Sequence, residues 1–173
     1  MRFFSGFSLK DEVYLFDKYI KKSEYAICGF SYGAITAFKK TLDMLNAGER
    51  VDTLQLFSPA FFQSKDEKFK RLQLISYKKN QAAYMEQFIS SCFSPYGKKI
   101  VKHKDTTMDE LKELLYYEWS LDDLKKIELS GVKIEVYLGG EDRIIDINAA
   151  KEMFLNVATV SYIKSANHFL QIN

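Results

Sequence analysis

A chain of 173 residues has room for one domain, or for one domain with a large insertion. Its hydrophobic content of 47% is typical of a globular protein, and a formal net charge of +2 gives no argument for nucleic-acid binding. The two cysteines lie far apart in the sequence, and the amino-terminal residues show no secretory leader pattern. No apolar run is long enough to span a membrane. We therefore expect a cytoplasmic monomer that binds neither nucleic acid nor membrane and needs no metal or cofactor.

The first third of the chain alternates between strand and helix patterns. Residues 2–5 predict a short buried strand, and the capping-box spacing of residues 8–11 predicts a helix behind it. Residues 25–28 predict a second strand, the apolar spacing after Ser31 predicts the clearest helix, and residues 51–57 predict a third strand. Parallel strands need such crossovers, so this order predicts a parallel sheet with helices on both faces.

The middle of the chain lacks strand patterns. Residues 60–127 show helical patterns only, with further capping boxes that begin at Thr107 and Ser120. We interpret this stretch as a helical lid inserted between two strands of the sheet.

The alternation then returns in the last third. Residues 132–138 alternate between apolar and polar side chains, Asp146 is placed to cap a helix, and residues 160–163 predict a last strand.

A possible nucleophile lies at the junction of the second strand and the long helix. Residues 29–33 read Gly-Phe-Ser-Tyr-Gly, a G-x-S-x-G sequence that occurs by chance in roughly one chain in twenty of this size. A strand that turns sharply into a helix holds such a serine in a strained conformation, with its oxygen presented above the sheet. The position of the motif therefore favours Ser31 as a nucleophile over a chance match.

A serine nucleophile needs a base and an acid that orients the base. Of the two histidines, His103 lies in a basic loop, whereas His168 follows the last strand at the carboxyl edge of the sheet. Asp142 follows the preceding strand and is a better candidate than Glu141 or the helix cap Asp146. The order Ser, Asp, His is the one that α/β hydrolases use.

The negative charge of an acyl-transfer intermediate needs two fixed backbone donors. We expect the amide of Tyr32, directly after the serine, and the amide of Phe7, in the loop after the first strand. Cys28 lies inside the predicted strand, where a small buried thiol is the default and a nucleophile is not expected.

Together, the motifs G-F-S-Y-G, L-G-G-E-D-R and S-A-N-H-F resemble those of the α/β-hydrolase superfamily. The short length and the F-F-S-G-F opening are similar to the short BioV-type pimeloyl-[acyl-carrier protein] methyl ester esterases. The resemblance implies a truncated α/β-hydrolase fold: a mostly parallel sheet of about five or six strands with helices on both faces. It also implies a single domain over residues 1–173, with residues 60–127 as the lid.

The activity that the resemblance implies is hydrolysis of the methyl ester of pimeloyl-[acyl-carrier protein] methyl ester, in biotin biosynthesis. Ser31 would be acylated, methanol would leave, and water activated by His168 would release the free pimeloyl-carrier protein. Residues 60–105 hold ten lysines and arginines against four acids, which suits an acidic carrier protein or, equally, a solvated surface. The candidate docking residues are Lys68, Lys70, Arg71, Lys78 and Lys79. Phenylalanines in and before this stretch suit the walls of an acyl channel and, equally, a core: Phe57, Phe61, Phe62, Phe88 and Phe93.

Two other functions remain open from the sequence. A general carboxylesterase or thioesterase for small acyl substrates would use the same three side chains. A carrier-protein-binding domain without activity would keep the fold alone.

Overall fold

The computed structural model of the protein describes residues 1–173. Its main sheet has five strands, all parallel: β1 (Arg2–Phe4), β3 (Ala26–Phe30), β4 (Thr53–Phe57), β6 (Lys133–Gly139) and β7 (Thr159–Ile163). They lie side by side in the order β1-β3-β4-β6-β7. A second sheet pairs β2 (Leu9–Lys10) with β5 (Lys102–His103) in antiparallel fashion. The predicted α/β class and the parallel main sheet are confirmed.

Six α-helices connect or cover the strands: α1 (Tyr32–Asn46), α2 (Glu67–Lys79), α3 (Gln81–Phe93), α4 (Met108–Tyr116), α5 (Leu121–Leu129) and α6 (Ile147–Phe154). The predicted caps form at three of them. Thr107 and Glu110 make the complete capping box of α4, Ser120 accepts from the amide of Asp123, and Asp146 accepts from the amide of Ala149. None of the helices combines the length and the apolar character that crossing a lipid bilayer requires.

The prediction of a helix that begins behind Ser8 is wrong. Leu9–Lys10 is strand β2, and only a short 3-10 helix, Glu12–Phe16, follows it, without a side-chain cap. Ser8 has a φ of 62°, and its buried hydroxyl finds no partner. The reason is the backbone pairing of β2 with β5, which lies in the middle stretch that we expected to be helical throughout. That long-range pairing overrides the local capping signal.

The strands alternate their side chains between two apolar clusters. Leu54, Leu56 and Val136 point into the larger cluster, under α1, α5 and α6. The other face is covered by the 3-10 helix, the end of α3 and the carboxyl-terminal segment, which contribute Phe16, Phe93, Phe169 and neighbours. Helices therefore cover both faces, as predicted, but on the second face they are only the 3-10 helix and the end of α3.

Residues 60–127 occupy two different places in the fold. Helix α2 packs against α3 and α4, whereas α5 packs against α1 and β6 and belongs to the layer that covers the sheet. The function of this insertion as a lid stays a prediction.

A buried polar cluster lies on the second face of the sheet. The amide of Gln55 donates to Glu135 at 2.9 Å, and the ammonium groups of Lys133 and Lys21 lie 2.8 Å and 3.0 Å from the same carboxylate. Burial raises the pKa of Glu135, but these three hydrogen bonds outweigh it and hold the pKa at about 2. Glu135 therefore stays ionised and joins the strand to the loop before β3.

Candidate active site

The candidate nucleophile lies on a strained turn between β3 and α1. Ser31 has a φ of 53° and a ψ of −115°, a conformation that residues other than glycine rarely adopt. Its amide donates to the carbonyl of Phe57 at 2.9 Å, and its carbonyl accepts from the amide of Ala60 at 3.1 Å. Bonds to the neighbouring strand and to the loop behind it therefore hold the strained residue in place.

The two glycines of the G-x-S-x-G motif allow backbone to pack directly on backbone. A Cβ atom at Gly29 would lie 2.2 Å from the carbonyl oxygen of Gly33, and one at Gly33 would lie 2.1 Å from that of Phe4. Neither position has room for a side chain. The second contact also brings the loop after β1 against the first turn of α1, beside Ser31.

Three predicted side chains form one hydrogen-bonded chain above the carboxyl edge of the sheet. The Nε2 atom of His168 lies 3.0 Å from the hydroxyl oxygen of Ser31, and its Nδ1 atom lies 2.6 Å from Oδ2 of Asp142. All three residues are buried. The other carboxylate oxygen of Asp142 accepts from the amides of Ile144 and Ile145 at 2.8 Å and 3.3 Å. Since the carboxylate can only accept, Nδ1 carries the proton and Nε2 is free to accept from the serine.

The histidine loop is held by side chains that we did not predict. The fully buried amide of Asn167 donates to the carbonyl of Phe93 at 2.7 Å, and its oxygen accepts from the amide of Gln171 at 3.0 Å. A backbone bond from Asn167 back to the carbonyl of Gln171 closes the loop. The only signal in the sequence was an amide side chain directly before the histidine, and this gave no hint of its partner on α3.

The two predicted oxyanion donors are free within the protein. The amide of Tyr32 is the first of α1, and neither this amide nor that of Phe7 donates a hydrogen bond to another protein group. The ring of Phe7 contacts those of Tyr32 and Phe88 edge to face, with centroids 6.3 Å and 5.9 Å apart. Their function as oxyanion donors stays a prediction.

Neither of the other reactive side chains considered belongs to this site. Cys28 is completely buried, and its thiol lies 3.4 Å from the side-chain oxygen of Gln55. Burial, the largest cause, raises the pKa of this thiol to about 12, which disfavours the nucleophilic thiolate. His103 is exposed on β5.

An apolar cavity of about 210 Å³ lies beside the candidate site. Arg143 and Ile144, which directly follow Asp142, form part of its wall, and Phe88 joins it to Phe7. The other lining residues come from the inserted helices and the segment before them: Phe62, Phe69, Gln73, Tyr84, Gln87, Ser91, Leu114 and Leu115.

Only two of the five predicted channel residues, Phe62 and Phe88, line this cavity. Phe57, Phe61 and Phe93 do not, because each is buried against another aromatic side chain. Their ring partners are Phe16 for Phe57, Phe154 for Phe61 and Phe169 for Phe93. The prediction is therefore wrong for these three residues, which belong to the core.

Four of the five predicted docking residues are exposed on α2: Lys68, Arg71, Lys78 and Lys79. Lys70 is buried, with only 8% of its surface exposed, and its ammonium lies 5.0 Å from the centre of the Tyr116 ring. It points between helices α2 and α4, so its assignment to a docking surface is wrong. Carrier docking by the other four stays a prediction.

Comparison with models of protein families gave no match, and comparison with curated protein sequences gave none. Solved structures do match. An esterase from Exiguobacterium antarcticum is 18% identical over 82% of this chain and 58% of its own, with a TM-score of 0.63. A hydrolase from Oleispira antarctica is 12% identical over 85% and 59%, with a TM-score of 0.63. Naproxen esterase from Bacillus subtilis is 20% identical over 91% and 57%, with a TM-score of 0.53.

This chain thus spans a little under three fifths of the length of each of these three proteins, at 57–59%. Similarity at such low sequence identity is a similarity of fold. The sheet order, the crossover helices and these matches together identify the architecture as an α/β-hydrolase fold.

Proposed function

We propose that this protein is a serine carboxylesterase in which Ser31 is the nucleophile, His168 the general base and Asp142 the acid that orients the histidine. The observation that carries the proposal is the position of the imidazole, 3.0 Å from the serine oxygen and 2.6 Å from the carboxylate. The strained turn that presents Ser31 supports the same assignment. The fold similarity to esterases is consistent with it.

In the proposed acylation step, the Ser31 oxygen attacks the ester carbonyl carbon while Nε2 of His168 takes the hydroxyl proton. The carbonyl π electrons move to the oxygen, and the resulting oxyanion accepts from the free amides of Tyr32 and Phe7. The tetrahedral intermediate collapses when the bond to the alkoxide breaks. His168 returns its proton to that alkoxide, which leaves as the alcohol, and an acyl ester remains on Ser31.

Deacylation repeats these steps with water as the nucleophile. His168 removes a proton from the water as its oxygen attacks the acyl carbon, and the new oxyanion occupies the same donors. The bond to Ser31 breaks, the serine oxygen takes the proton from His168, and the carboxylic acid is released. Asp142 keeps the imidazole in the required tautomer and stabilises its cationic form throughout.

As the substrate we propose pimeloyl-[acyl-carrier protein] methyl ester, cleaved in biotin biosynthesis to pimeloyl-carrier protein and methanol. Three observations support this choice. The sequence resembles the short esterases of that reaction, an apolar cavity is lined by the two residues that follow Asp142, and α2 exposes four cations that suit an acidic carrier.

The most direct test of this reaction gives the purified protein the methyl-pimeloyl carrier protein and follows loss of the methyl ester by mass spectrometry. We expect turnover by the wild type and at least about 10³-fold less by Ser31→Ala. Full activity of Ser31→Ala would contradict the mechanism. If the wild type ignores this substrate but cleaves free short-chain esters, the general carboxylesterase or thioesterase is the correct function.

The docking surface has its own test. We expect the double charge reversal of Lys68 and Arg71 to glutamate to raise the KM for carrier-bound substrate about tenfold, and to leave hydrolysis of a nitrophenyl ester unchanged. The matched control reverses Lys22 and Lys125, which are exposed elsewhere and change the net charge equally. An equal effect of both pairs, or an effect on the free ester, would contradict docking at α2.

A further inference from the structure

Glu12 is a buried carboxylate outside the triad, with no exposed surface. No lysine, arginine or histidine forms an ion pair with it, in contrast to Glu135. Its Oε1 atom accepts from the backbone amide of Gly6 at 2.7 Å, and its Oε2 atom has no partner. Burial, the largest cause, raises its pKa. Burying a carboxylate with one amide donor and an unpaired oxygen opposes folding.

The group that Glu12 holds belongs to the loop between β1 and β2. Gly6 lies one residue before Phe7, whose amide donates no hydrogen bond within the protein. A Cβ atom at Gly6 would lie 2.8 Å from the ring of Phe30, so the loop is pressed against the strand that leads to the candidate nucleophile.

Strained residues flank β2, and a backbone bond from Lys104 to the carbonyl of Ser8 at 2.9 Å also holds the loop. Ser8 and Asp11 both have a φ of 62°, and the buried hydroxyl of Ser8 has no partner. The backbone bond from Leu9 to the carbonyl of Gly6 closes the turn. The bond from Gly6 to Glu12 is the only side-chain bond made by the backbone amides of Gly6, Phe7 and Ser8.

We propose that Glu12 is a positioning residue for the oxyanion hole: by holding the Gly6 amide, it fixes the next amide, that of Phe7, where the oxyanion forms. This proposal rests on the proposed function, because it needs acyl transfer at Ser31. If Glu12 fixes the Phe7 amide, loss of its carboxylate lowers kcat more than it changes KM. That difference distinguishes a positioning function from a purely structural one.

The test compares two substitutions of similar volume. Glu12→Gln keeps an oxygen acceptor for Gly6, whereas Glu12→Met removes it and keeps the space filled. The readouts are kcat and KM on a nitrophenyl ester and the rate of labelling by a fluorophosphonate, whose phosphoryl oxygen occupies the same donors. The matched control is Glu24→Met, at an exposed glutamate of the loop before β3.

We expect Glu12→Gln and Glu24→Met to stay within about threefold of the wild type in kcat. We expect Glu12→Met to lower kcat and the labelling rate together, by about 10- to 100-fold, with KM within about threefold, because a displaced donor weakens mainly the transition state. Circular dichroism verifies that each variant is folded. If Glu12→Met does not fold, Glu12→Asp, whose carboxylate is one methylene shorter, carries the same expectation.

A folded Glu12→Met or Glu12→Asp variant with wild-type kcat and labelling rate would overturn this proposal. So would a rise in KM at unchanged kcat, because it would assign the residue to substrate binding. Neither result affects the proposed function, which fails only if the wild type shows no hydrolysis or if Ser31→Ala keeps its activity.

Discussion

Replacement of Asn167 by alanine tests how the histidine loop is held. The substitution removes the donor to the Phe93 carbonyl at 2.7 Å and the acceptor of the Gln171 amide at 3.0 Å, both in a fully buried place. The Gln171 amide loses its only partner, which costs about 1–3 kcal/mol, whereas the Phe93 carbonyl keeps the amide of Tyr96 and loses one bond of about 1 kcal/mol. We therefore expect a loss of roughly 2–4 kcal/mol. For a domain of this size, that loss corresponds to a fall in Tm of roughly 4–16 °C.

The same substitution affects the reaction because His168 is the next residue. A looser loop leaves Nε2 less often within reach of Ser31, so we expect kcat on a nitrophenyl ester to fall about tenfold or more at a temperature where the variant is folded. Thermal unfolding followed by circular dichroism gives the stability, and steady-state kinetics gives kcat and KM.

The matched control is Asn156→Ala. The side chain of Asn156 also donates to two carbonyls, at 2.9 Å and 3.0 Å, but it is exposed at the end of α6, where water replaces the lost bonds. We expect a change within about 0.5 kcal/mol and an unchanged kcat. Equal losses in the two variants, or no loss in Asn167→Ala, would refute the reasoning.

Three further predictions concern packing, the cavity and pH. Gly33→Ala should lose at least about 3 kcal/mol in urea unfolding, because its Cβ would lie 2.1 Å from a carbonyl oxygen, whereas Gly97→Ala, in open space, should change little. Ser91→Trp should fill the cavity and raise the KM for nitrophenyl octanoate, but not for nitrophenyl acetate. Equal effects on the two substrates would contradict binding of the acyl chain in this cavity. Glu135 has a folded pKa of about 2, below the usual value, so its stabilisation is complete above about pH 5 and is lost as the pH falls towards 2. In Glu135→Gln, the fall in the free energy of unfolding between pH 5 and pH 2 should be smaller than in the wild type by up to about 3 kcal/mol. An unchanged dependence of this free energy on pH would contradict the assignment.

The parallel sheet was predictable from the sequence because its signals are local. Each strand and the helix after Ser31 has its own apolar period, and the crossover order then requires parallel pairing. The side chains at the carboxyl ends of three parallel strands must meet at one edge, which is why Ser31, Asp142 and His168 could be placed together without coordinates.

The remaining features depend on contacts between distant residues. The pairing of β2 with β5 joins segments more than ninety residues apart and replaces the helix that the spacing after Ser8 indicated. Aromatic side chains at Phe57, Phe61 and Phe93 are equally compatible with a channel and a core, and only their partners decide for the core. In the sequence, Lys70 resembles any surface cation, and only the structure shows that its ammonium lies over the Tyr116 ring.

The positioning side chains were invisible in the sequence for the same reason. Asn167 and Glu12 gain their importance from backbone groups on other segments, the carbonyl of Phe93 and the amide of Gly6. Polar residues of these types are mostly exposed, and nothing in their neighbours along the chain indicates complete burial.

Covalent labelling tests the central claim, activation of Ser31 by His168, most directly. The wild type is treated with a fluorophosphonate, the intact mass is measured, and the modified peptide is sequenced. We predict one adduct per chain, located on Ser31, that is absent in Ser31→Ala and forms at least about 10³-fold more slowly in His168→Ala. An unlabelled wild type, an adduct on another residue, or undiminished labelling in His168→Ala would contradict the account.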